Sequence, residues 1–205
     1  MAPYRIAVFA SGSGTNFQAI VDAVKAGKLN VEVALLVCDR PNAEVVSRAA
    51  AEGVETFAFR PKQYASKSEY EAEIVRLLRQ KQVDLIVLAG YMRIISETLL
   101  EPYAGRMVNI HPSLLPAFPG LDAIGQALAH GVKVTGVTVH FVDGGMDTGP
   151  IIAQRAVEVA GDDNAETLAA KIHPVEHKLY SEVIGGIAGG RVTLMSDGRH
   201  VAWQP

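Results

Sequence analysis

Residues 5–16 read RIAVFASGSGTN, and this stretch decides the fold class. The apolar run from Ile6 to Ala10 suits a strand buried on both faces, and the small polar residues and glycines after it suit a turn. Apolar residues then recur at helical spacing between Phe17 and Val24. A buried strand, a glycine-rich turn and an amphipathic helix, in this order, predict the first repeat of an α/β sheet.

The same alternation of apolar runs and helical patterns continues along the first half. Its other predicted strands are 31–37, 55–59 and 84–89, and its other predicted helices are about 43–52 and 66–82. Uninterrupted apolar strands between helices indicate a parallel sheet covered on both faces. We therefore predict an α/β fold with a doubly wound, mostly parallel sheet, whose ligands bind beyond the carboxyl ends of the strands.

The second half has a different pattern. Its predicted strands are 107–110, 134–142 and 151–159, its predicted helices are about 124–130 and 165–185, and a hairpin is predicted at 191–205. Period-2 alternation in residues 134–142 is typical of a strand in an antiparallel sheet. The sequence therefore predicts an antiparallel or mixed C-terminal extension. With no linker or repeat, 1–205 is expected to form a single domain with halves at 1–105 and 106–205.

Composition excludes several classes of function. A net charge of -3 leaves no basic surface for nucleic acid, and the apolar runs are too short to cross a bilayer. The single cysteine, Cys38, cannot form a disulfide framework and fits a reducing compartment. We expect a cytoplasmic protein that acts on small molecules and needs no metal. An exposed edge strand would allow a homodimer.

The loop Ser11-Gly12-Ser13-Gly14-Thr15-Asn16 is a candidate phosphate site. Glycines let a backbone approach a ligand closely, and amides at the start of a helix attract anions. The alternative is a plain turn between strand and helix. The loop lacks the third glycine of a dinucleotide fingerprint and the lysine of a Walker A loop, so a dinucleotide or ATP site is disfavoured.

Two later segments carry polar groups suited to catalysis. Asn109 and His111 stand two apart on a predicted strand, so they share one face, and the prolines that follow stiffen the next loop. Asp143 and Asp147 lie among glycines in a loop between two predicted strands. The alternatives are a sheet-edge histidine held by a hydrogen bond and a surface turn, in which Asp and Gly are common.

Taken together, these segments resemble the folate-dependent formyltransferases over almost the whole chain. The resemblance rests on Asn109-x-His111-Pro112-Ser113-Leu114-Leu115-Pro116, on residues 138–142 (TVHFV) and on Asp147-x-Gly149-Pro150-Ile151. It implies a Rossmann-like formyltransferase fold. The first loop and the short length indicate the branch that formylates glycinamide ribonucleotide in purine synthesis, with 10-formyltetrahydrofolate as co-substrate.

The resemblance also implies roles for individual residues. Asn109 and protonated His111 would stabilise the oxyanion of a tetrahedral intermediate, and Asp147, rather than Asp143, would hold the imidazolium and assist proton transfer. Residues implied in binding the ribonucleotide are Gly14, Thr15, Asn16, His173 and Glu176. Residues implied in binding the folate are Tyr91, Met92, Arg93, Ile94, Ile95, Val142, Asp143 and Gly144. The family often has a His-Arg pair where this chain has Ile124-Gly125.

Three other functions compete with this one. His173-Pro174-Val175-Glu176-His177 satisfies the H-x-x-E-H pattern of zinc hydrolases, although Pro174 is expected to interrupt the helix and begin a second helical segment. A phosphosugar-binding domain without catalysis would use only the first loop. A deformylase would release formate from the folate without an amine acceptor.

Overall fold

The first half of the chain has the predicted alternation of strands and helices. In the computed structural model, which describes residues 3–204, a first compact unit extends to Val108 and a second begins at Asn109. The strands of the first unit are β1 (Arg5–Phe9), β2 (Glu32–Cys38), β3 (Thr56–Ala58) and β4 (Leu85–Leu88). Its helices are α1 (Thr15–Lys25), α2 (Glu44–Ala51), α3 (Lys67–Gln80) and the single turn α4 (Glu97–Leu100).

The four strands of this unit are parallel and lie in the order β3-β2-β1-β4. The connection from β1 through α1 to β2 and the connection from β3 through α3 to β4 run in opposite directions along the sheet. Right-handed crossovers therefore place α1 and α3 on opposite faces. Both faces are covered, which explains why the strands are apolar throughout rather than alternating.

The strand order reverses between β1 and β4. The Phe9 Cα pairs with that of Leu88, and the Ser11 amide donates to the Gly90 carbonyl oxygen at 3.0 Å. The loops that leave these two strand ends, 11–16 and 90–95, therefore start side by side. Such a switch point is the usual ligand site of an open α/β sheet.

The second unit contains the mixed part of the fold. Its elements are β5 (Met107–His111, which begins at the end of the first unit), α5 (Ala123–Ala129), β6 (Val134–Phe141), β7 (Ile151–Glu158), α6 (Ala165–Ala188), β8 (Val192–Leu194) and β9 (Val201–Trp203). The order β5-β6-β7 places β6 in the middle, and β6 and β7 are antiparallel with an irregularity between Val139 and His140. The C-terminal strands β8 and β9 form a separate antiparallel pair.

The predicted break at Pro174 is wrong, because α6 continues without interruption through it. Proline removes one hydrogen bond, to the carbonyl of Ala170, and both residues lie on the exposed side of the helix, where water can bind that carbonyl. The buried face of α6 contains Leu168 and Ile172 before the proline and Leu179 after it. Burial of this continuous face outweighs the lost bond.

The predicted fold class, a doubly wound and mostly parallel α/β sheet with an antiparallel C-terminal extension, is confirmed. The predicted elements all occur, with ends shifted by a few residues. Helix α4 and the 3-10 turns at Pro61–Gln63 and Glu101–Tyr103 were not predicted. The last residue of the predicted hairpin, Pro205, lies outside the described residues. Within residues 3–204, no helix is both long and apolar enough to cross a membrane.

Candidate active site

Four polar side chains of the second unit converge on one point. Asn109 and His111 lie on β5, His140 lies near the end of β6, and Asp147 lies in the loop that follows β6. His111 and His140 are 5% and 2% exposed, so these polar groups are largely withdrawn from bulk water. The structure thus brings together the three residues predicted from sequence and adds His140 to them.

The hydrogen bonds of His111 determine which ring nitrogen faces the cluster. Its Nε2 lies 2.8 Å from the carbonyl oxygen of Phe118, which can only accept, so Nε2 carries a proton. Its Nδ1 lies 3.5 Å from Oδ2 of Asp147. Both neighbours of the ring are acceptors. The ring can therefore donate to both only when both nitrogens carry protons.

His140 holds the Asn109 amide in one orientation. Its Nδ1 donates to the Phe141 carbonyl oxygen at 2.7 Å, which leaves Nε2 of the neutral ring as an acceptor. Asn109 Nδ2 lies 3.2 Å from that Nε2 and 3.4 Å from Oδ1 of Asp147. The second contact is long. One amide hydrogen is therefore fixed by His140, and the other is held only weakly.

The position of His140 depends on a backbone irregularity that no sequence pattern revealed. The pairing register between β6 and β7 shifts between Val139 and His140. Bulges of this kind redirect side chains and are common beside functional sites. His140 stands in the segment 138–142 that carries part of the resemblance, directly before the loop that contains Asp143 and Asp147, but no role was predicted for it.

Asp147 connects the other groups of the cluster. Its Oδ2 accepts from the Gly120 amide at 2.8 Å, and its Oδ1 lies 3.7 Å from His140 Nε2. Its backbone has a φ of 56°, in the left-handed region that Asp and Asn tolerate better than most residues. The loop that contains Asp147 packs closely against the end of β6. A Cβ added to Gly149 would lie only 1.9 Å from the Phe141 carbonyl oxygen, so this position has no room for a side chain.

The surroundings of Asp147 keep it ionised. Burial raises the pKa of its carboxyl group, but the hydrogen bond from the Gly120 amide and the charge of a protonated His111 lower it below the ordinary value. These partners favour the charged form, either by hydrogen bonding or by opposite charge. The carboxylate is thus available at neutral pH to stabilise a proton on a neighbouring imidazole.

We expect the stabilising effect of this carboxylate to be lost in acid. A group whose pKa is lower in the folded than in the unfolded protein stabilises the fold above the unfolded pKa, and this contribution disappears as pH falls through the folded pKa. Urea unfolding of the unchanged protein and Asp147→Asn should therefore differ at pH 5, and the difference should shrink below pH 3.8, the ordinary value for Asp. A difference that stays constant to pH 2 would contradict the pKa assignment.

A hydrogen-bonded scaffold supports the loop that follows His111. The buried hydroxyl of Thr138 on β6 donates to the Ser113 carbonyl oxygen at 2.7 Å and accepts from the Leu115 amide at 3.0 Å. Gln154 on β7 donates to the Leu115 carbonyl oxygen at 2.8 Å. The peptide bond between Leu115 and Pro116 is cis. The loop thereby presents the Phe118 carbonyl to His111 from a fixed position.

Asp143, the other aspartate of the loop after β6, has a local role in this structure. Its Oδ1 accepts from the Gly145 amide at 3.0 Å and from the Thr148 hydroxyl at 2.7 Å. These bonds shape the turn itself. Val142 is half-buried and Gly144 is exposed, so the backbone predicted to bind folate is accessible.

In the first unit, the glycine-rich loop is fastened to α2. The Gly12 carbonyl oxygen accepts from the Val45 amide at 3.2 Å, and the Ser13 carbonyl oxygen accepts from Arg48 Nε at 2.8 Å. Gly14 caps α1 with a φ of 76°. The amides of the first turn of α1, which begins at Thr15, are therefore held at the carboxyl end of β1, where a phosphate could accept from them.

Asn16 strengthens the case for a ligand at this helix terminus. Its Oδ1 is buried and has no hydrogen-bond partner among the described residues. A buried polar atom without a partner is unfavourable and calls for an explanation such as a ligand. The two ends of the amide are interchangeable by a flip, so Asn16 can offer either a donor or an acceptor.

If the loop binds the ribonucleotide phosphate, as the resemblance implies, substitution of Gly14 should weaken that binding. A Cβ at this position would lie 2.4 Å from Cγ2 of Val45, and the positive φ is itself unfavourable for alanine. We expect Gly14→Ala to raise the KM for the ribonucleotide at least about tenfold, because the loop must shift. Gly12→Ala is the matched comparison, since a Cβ there meets nothing within 4 Å. Steady-state kinetics should show the smaller effect for Gly12→Ala, and equal effects would contradict this steric explanation.

The predicted folate segment, 91–95, leaves β4 without regular secondary structure. Tyr91 is anchored by an edge-on contact with Phe9, with ring centroids 5.3 Å apart. Met92 and Ile94 are 57% and 67% exposed. Exposed apolar side chains beside a switch point are suited to contact an aromatic ligand. Arg93 forms an ion pair with Asp39 at 2.7 Å, and Ile95 is half-buried.

The candidate binding residues of α6 fall on two sides of the helix. Glu176 is buried at 6% exposure, whereas His173 is exposed and its ring stacks on that of His177 with centroids 6.4 Å apart. The three side chains of the H-x-x-E-H pattern therefore do not converge. Among residues 3–204, no group of three or more His, Cys, Asp or Glu side chains is arranged to hold a metal ion. Ile124 and Gly125 lie in the first turn of α5.

The chain is similar to known formyltransferases. Residues 4–184 match the family model described as formyl transferase. The chain is 55% identical over 185 residues to the phosphoribosylglycinamide formyltransferase of Bacillus subtilis, covering 90% of this chain and 95% of that protein. The crystal structure of glycinamide ribonucleotide transformylase 1 from Geobacillus kaustophilus superposes with a TM-score of 0.89 at 61% identity, covering 92% of this chain and 100% of that one.

A formyltetrahydrofolate deformylase from Pseudomonas syringae shares the fold at lower identity. Its structure matches with a TM-score of 0.90 at 27% identity, covering all of this chain and 67% of the deformylase. The fold alone thus does not separate these two activities. The match of residues 4–184 to the family model holds for either activity. The chain belongs to the formyl transferase family.

Proposed function

We propose that this protein transfers the formyl group of 10-formyltetrahydrofolate to the amine of glycinamide ribonucleotide, a step of purine synthesis. The observation that carries the proposal is the convergence of Asn109, His111 and Asp147, with the carboxylate within 3.5 Å of both partners. The relatives from Bacillus and Geobacillus support the substrates, since their names specify this ribonucleotide.

Attack of the amine on the formyl carbon produces a tetrahedral intermediate with negative charge on oxygen. In our proposal the weakly held hydrogen of Asn109 Nδ2 turns from Asp147 to this oxygen, while His140 keeps the amide in place. The proton on Nδ1 of His111 supplies the second donor. Fixed donors aimed at such an oxygen are worth several kcal/mol, about 3–4 for one donor.

Asp147 is proposed to stabilise the protonated His111 and to assist proton transfer. The attacking amine must lose a proton, and N10 of the folate must gain one when the carbon–nitrogen bond to the formyl group breaks. A carboxylate kept ionised by its surroundings favours the imidazolium beside it. Proton movement through this pair leaves the overall charge of the site unchanged.

The proposed binding residues are those that the resemblance implies. We propose that Gly14, Thr15 and Asn16 bind the ribonucleotide phosphate and that Glu176 binds the amine-bearing part. His173, on the other side of α6, is proposed to contact another part of the ribonucleotide. Residues proposed to bind the folate are Tyr91, Met92, Arg93, Ile94, Ile95, Val142, Asp143 and Gly144. The chain would then act as one formyltransferase domain, with a phosphate-binding half and a catalytic half.

A direct assay tests the proposal. Purified protein, 10-formyltetrahydrofolate and glycinamide ribonucleotide should yield formylated ribonucleotide and tetrahydrofolate in equal amounts. Folded protein that forms no such product would contradict the proposed function. Release of formate at the same rate without any amine acceptor would instead identify a deformylase.

A further inference from the structure

Asp39 is a buried carboxylate outside the catalytic cluster of the second unit. It follows directly after β2, and its side chain is 0% exposed. Burial of a carboxylate is unfavourable unless it is paired and hydrogen-bonded. Here Oδ1 accepts from the Ser11 hydroxyl at 2.5 Å, and Oδ2 accepts from Arg93 Nε at 2.7 Å. Both partners lie on the loops at the switch point between β1 and β4.

Ser11 extends this connection back to the folate segment. Its hydroxyl donates to Asp39 and accepts from the Met92 amide at 2.9 Å. Three hydrogen bonds therefore link Arg93 to Asp39, Asp39 to Ser11 and Ser11 to Met92. Because Met92 and Arg93 are neighbours in the chain, the arrangement is closed. Because the carboxylate can only accept, it fixes the direction of the Ser11 hydroxyl and leaves a lone pair for the Met92 amide.

The arrangement joins two loops with different proposed ligands. Ser11 begins the loop that positions Gly14 and the first turn of α1, and Met92 and Arg93 belong to the segment proposed to bind folate. A mutual shift of these loops by about 1 Å would misplace both ligands, and such misplacements are expensive in catalysis. One buried carboxylate is hydrogen-bonded to both loops.

We propose that Asp39 is a positioning residue that holds the ribonucleotide loop and the folate segment in one arrangement, and that it determines the KM of both substrates without taking part in formyl transfer. The inference rests on the proposed function, because it takes the two loops as the two substrate sites. It concerns substrate binding and leaves the chemistry of the second unit untouched.

Two substitutions at Asp39 separate its bonds. Asp39→Asn keeps a carbonyl oxygen that can accept from Ser11. It presents its amide NH2 group, which is a donor, to the donor Nε of Arg93. It should raise the KM for folate about tenfold, the usual effect of losing one charge-assisted hydrogen bond, and change the KM for the ribonucleotide about twofold at most. Asp39→Ala removes both bonds and should raise both KM values about tenfold. For both variants, kcat should stay within about threefold of the unchanged protein.

Ser11→Ala provides a second test that removes only one hydroxyl group. Asp39→Ala also leaves a buried cavity, which can have effects of its own. Ser11→Ala retains the ion pair between Asp39 and Arg93. Both KM values should rise, with kcat again nearly unchanged. Glu32→Gln is the matched control, since it breaks an ion pair with Arg5 of the same 2.7 Å length in the same unit. Thermal unfolding of each variant verifies that it is folded.

The outcomes distinguish this inference from the proposed function. Formyl transfer by the unchanged protein, with KM values of the Asp39 and Ser11 variants like those of Glu32→Gln, would overturn the inference alone. A fall in kcat at unchanged KM would do the same, because it would indicate a part in catalysis. If the unchanged protein transfers no formyl group, the proposed function and this inference both fail.

Discussion

His111→Ala should lower kcat for formyl transfer about a thousandfold while leaving ribonucleotide affinity within about twofold of its original value. The substitution removes the donor that we propose for the oxyanion and the ring that carries the proton. The loop that we propose to bind the ribonucleotide phosphate belongs to another part of the chain and is unchanged. Single-turnover kinetics and calorimetric titration with the ribonucleotide, each on purified protein, provide the two measurements.

His200→Ala is the control for that substitution. His200 lies in the C-terminal hairpin, and its side chain is 77% exposed and paired with Asp197. Its removal should leave kcat unchanged. A His111→Ala variant with normal kcat would exclude the proposed catalytic role. A protein without catalytic activity, using only its phosphate loop, would show no effect of either substitution on turnover.

Asp147→Asn should reduce kcat at least about a hundredfold, because a neutral amide no longer favours a protonated His111. The substituted side chain has the same shape and keeps an oxygen that can accept from Gly120. Asparagine also tolerates the left-handed backbone at this position. The fall in rate should therefore reflect lost charge rather than lost structure, and the KM values for both substrates should change only a few-fold.

Asp197→Asn tests whether any loss of a carboxylate would have the same effect. Asp197 accepts hydrogen bonds in the C-terminal hairpin, from the amides of Arg199 and His200. Its substitution should leave turnover intact. Equal rates for Asp147→Asn and the unchanged protein would remove the carboxylate from the proposed mechanism, and equal losses in both variants would point to a general effect on folding.

Much of the fold could be predicted because its strands are apolar throughout and its turns contain glycine. The failure at Pro174 has a clear physical cause. Helix-breaking propensity is a local property, whereas the apolar face of α6 on both sides of the proline is a tertiary property, and its burial stabilises the helix by more than the lost hydrogen bond costs.

The candidate site, too, could be predicted from the sequence only in part. Asn109 and His111 could be placed on one face because strand periodicity is strict. His140 could not, because its direction depends on a register shift between Val139 and the histidine itself. Asp39 was not predicted either. Its role depends on loops that follow strands far apart in the sequence, and a single sequence contains no signal for such contacts.

Trp203 on β9 is the only tryptophan of the sequence, and this has a practical consequence for studies of folding. Its indole lies against Gly186 of α6, and the Arg155 guanidinium of β7 stands 5.9 Å from the ring centre. Tryptophan fluorescence, excited at wavelengths that tyrosine does not absorb, therefore reports the environment of the unit from Asn109 onward. Far-UV circular dichroism reports the helices of both units, so denaturation midpoints that differ between the two signals would reveal that the units unfold in separate steps.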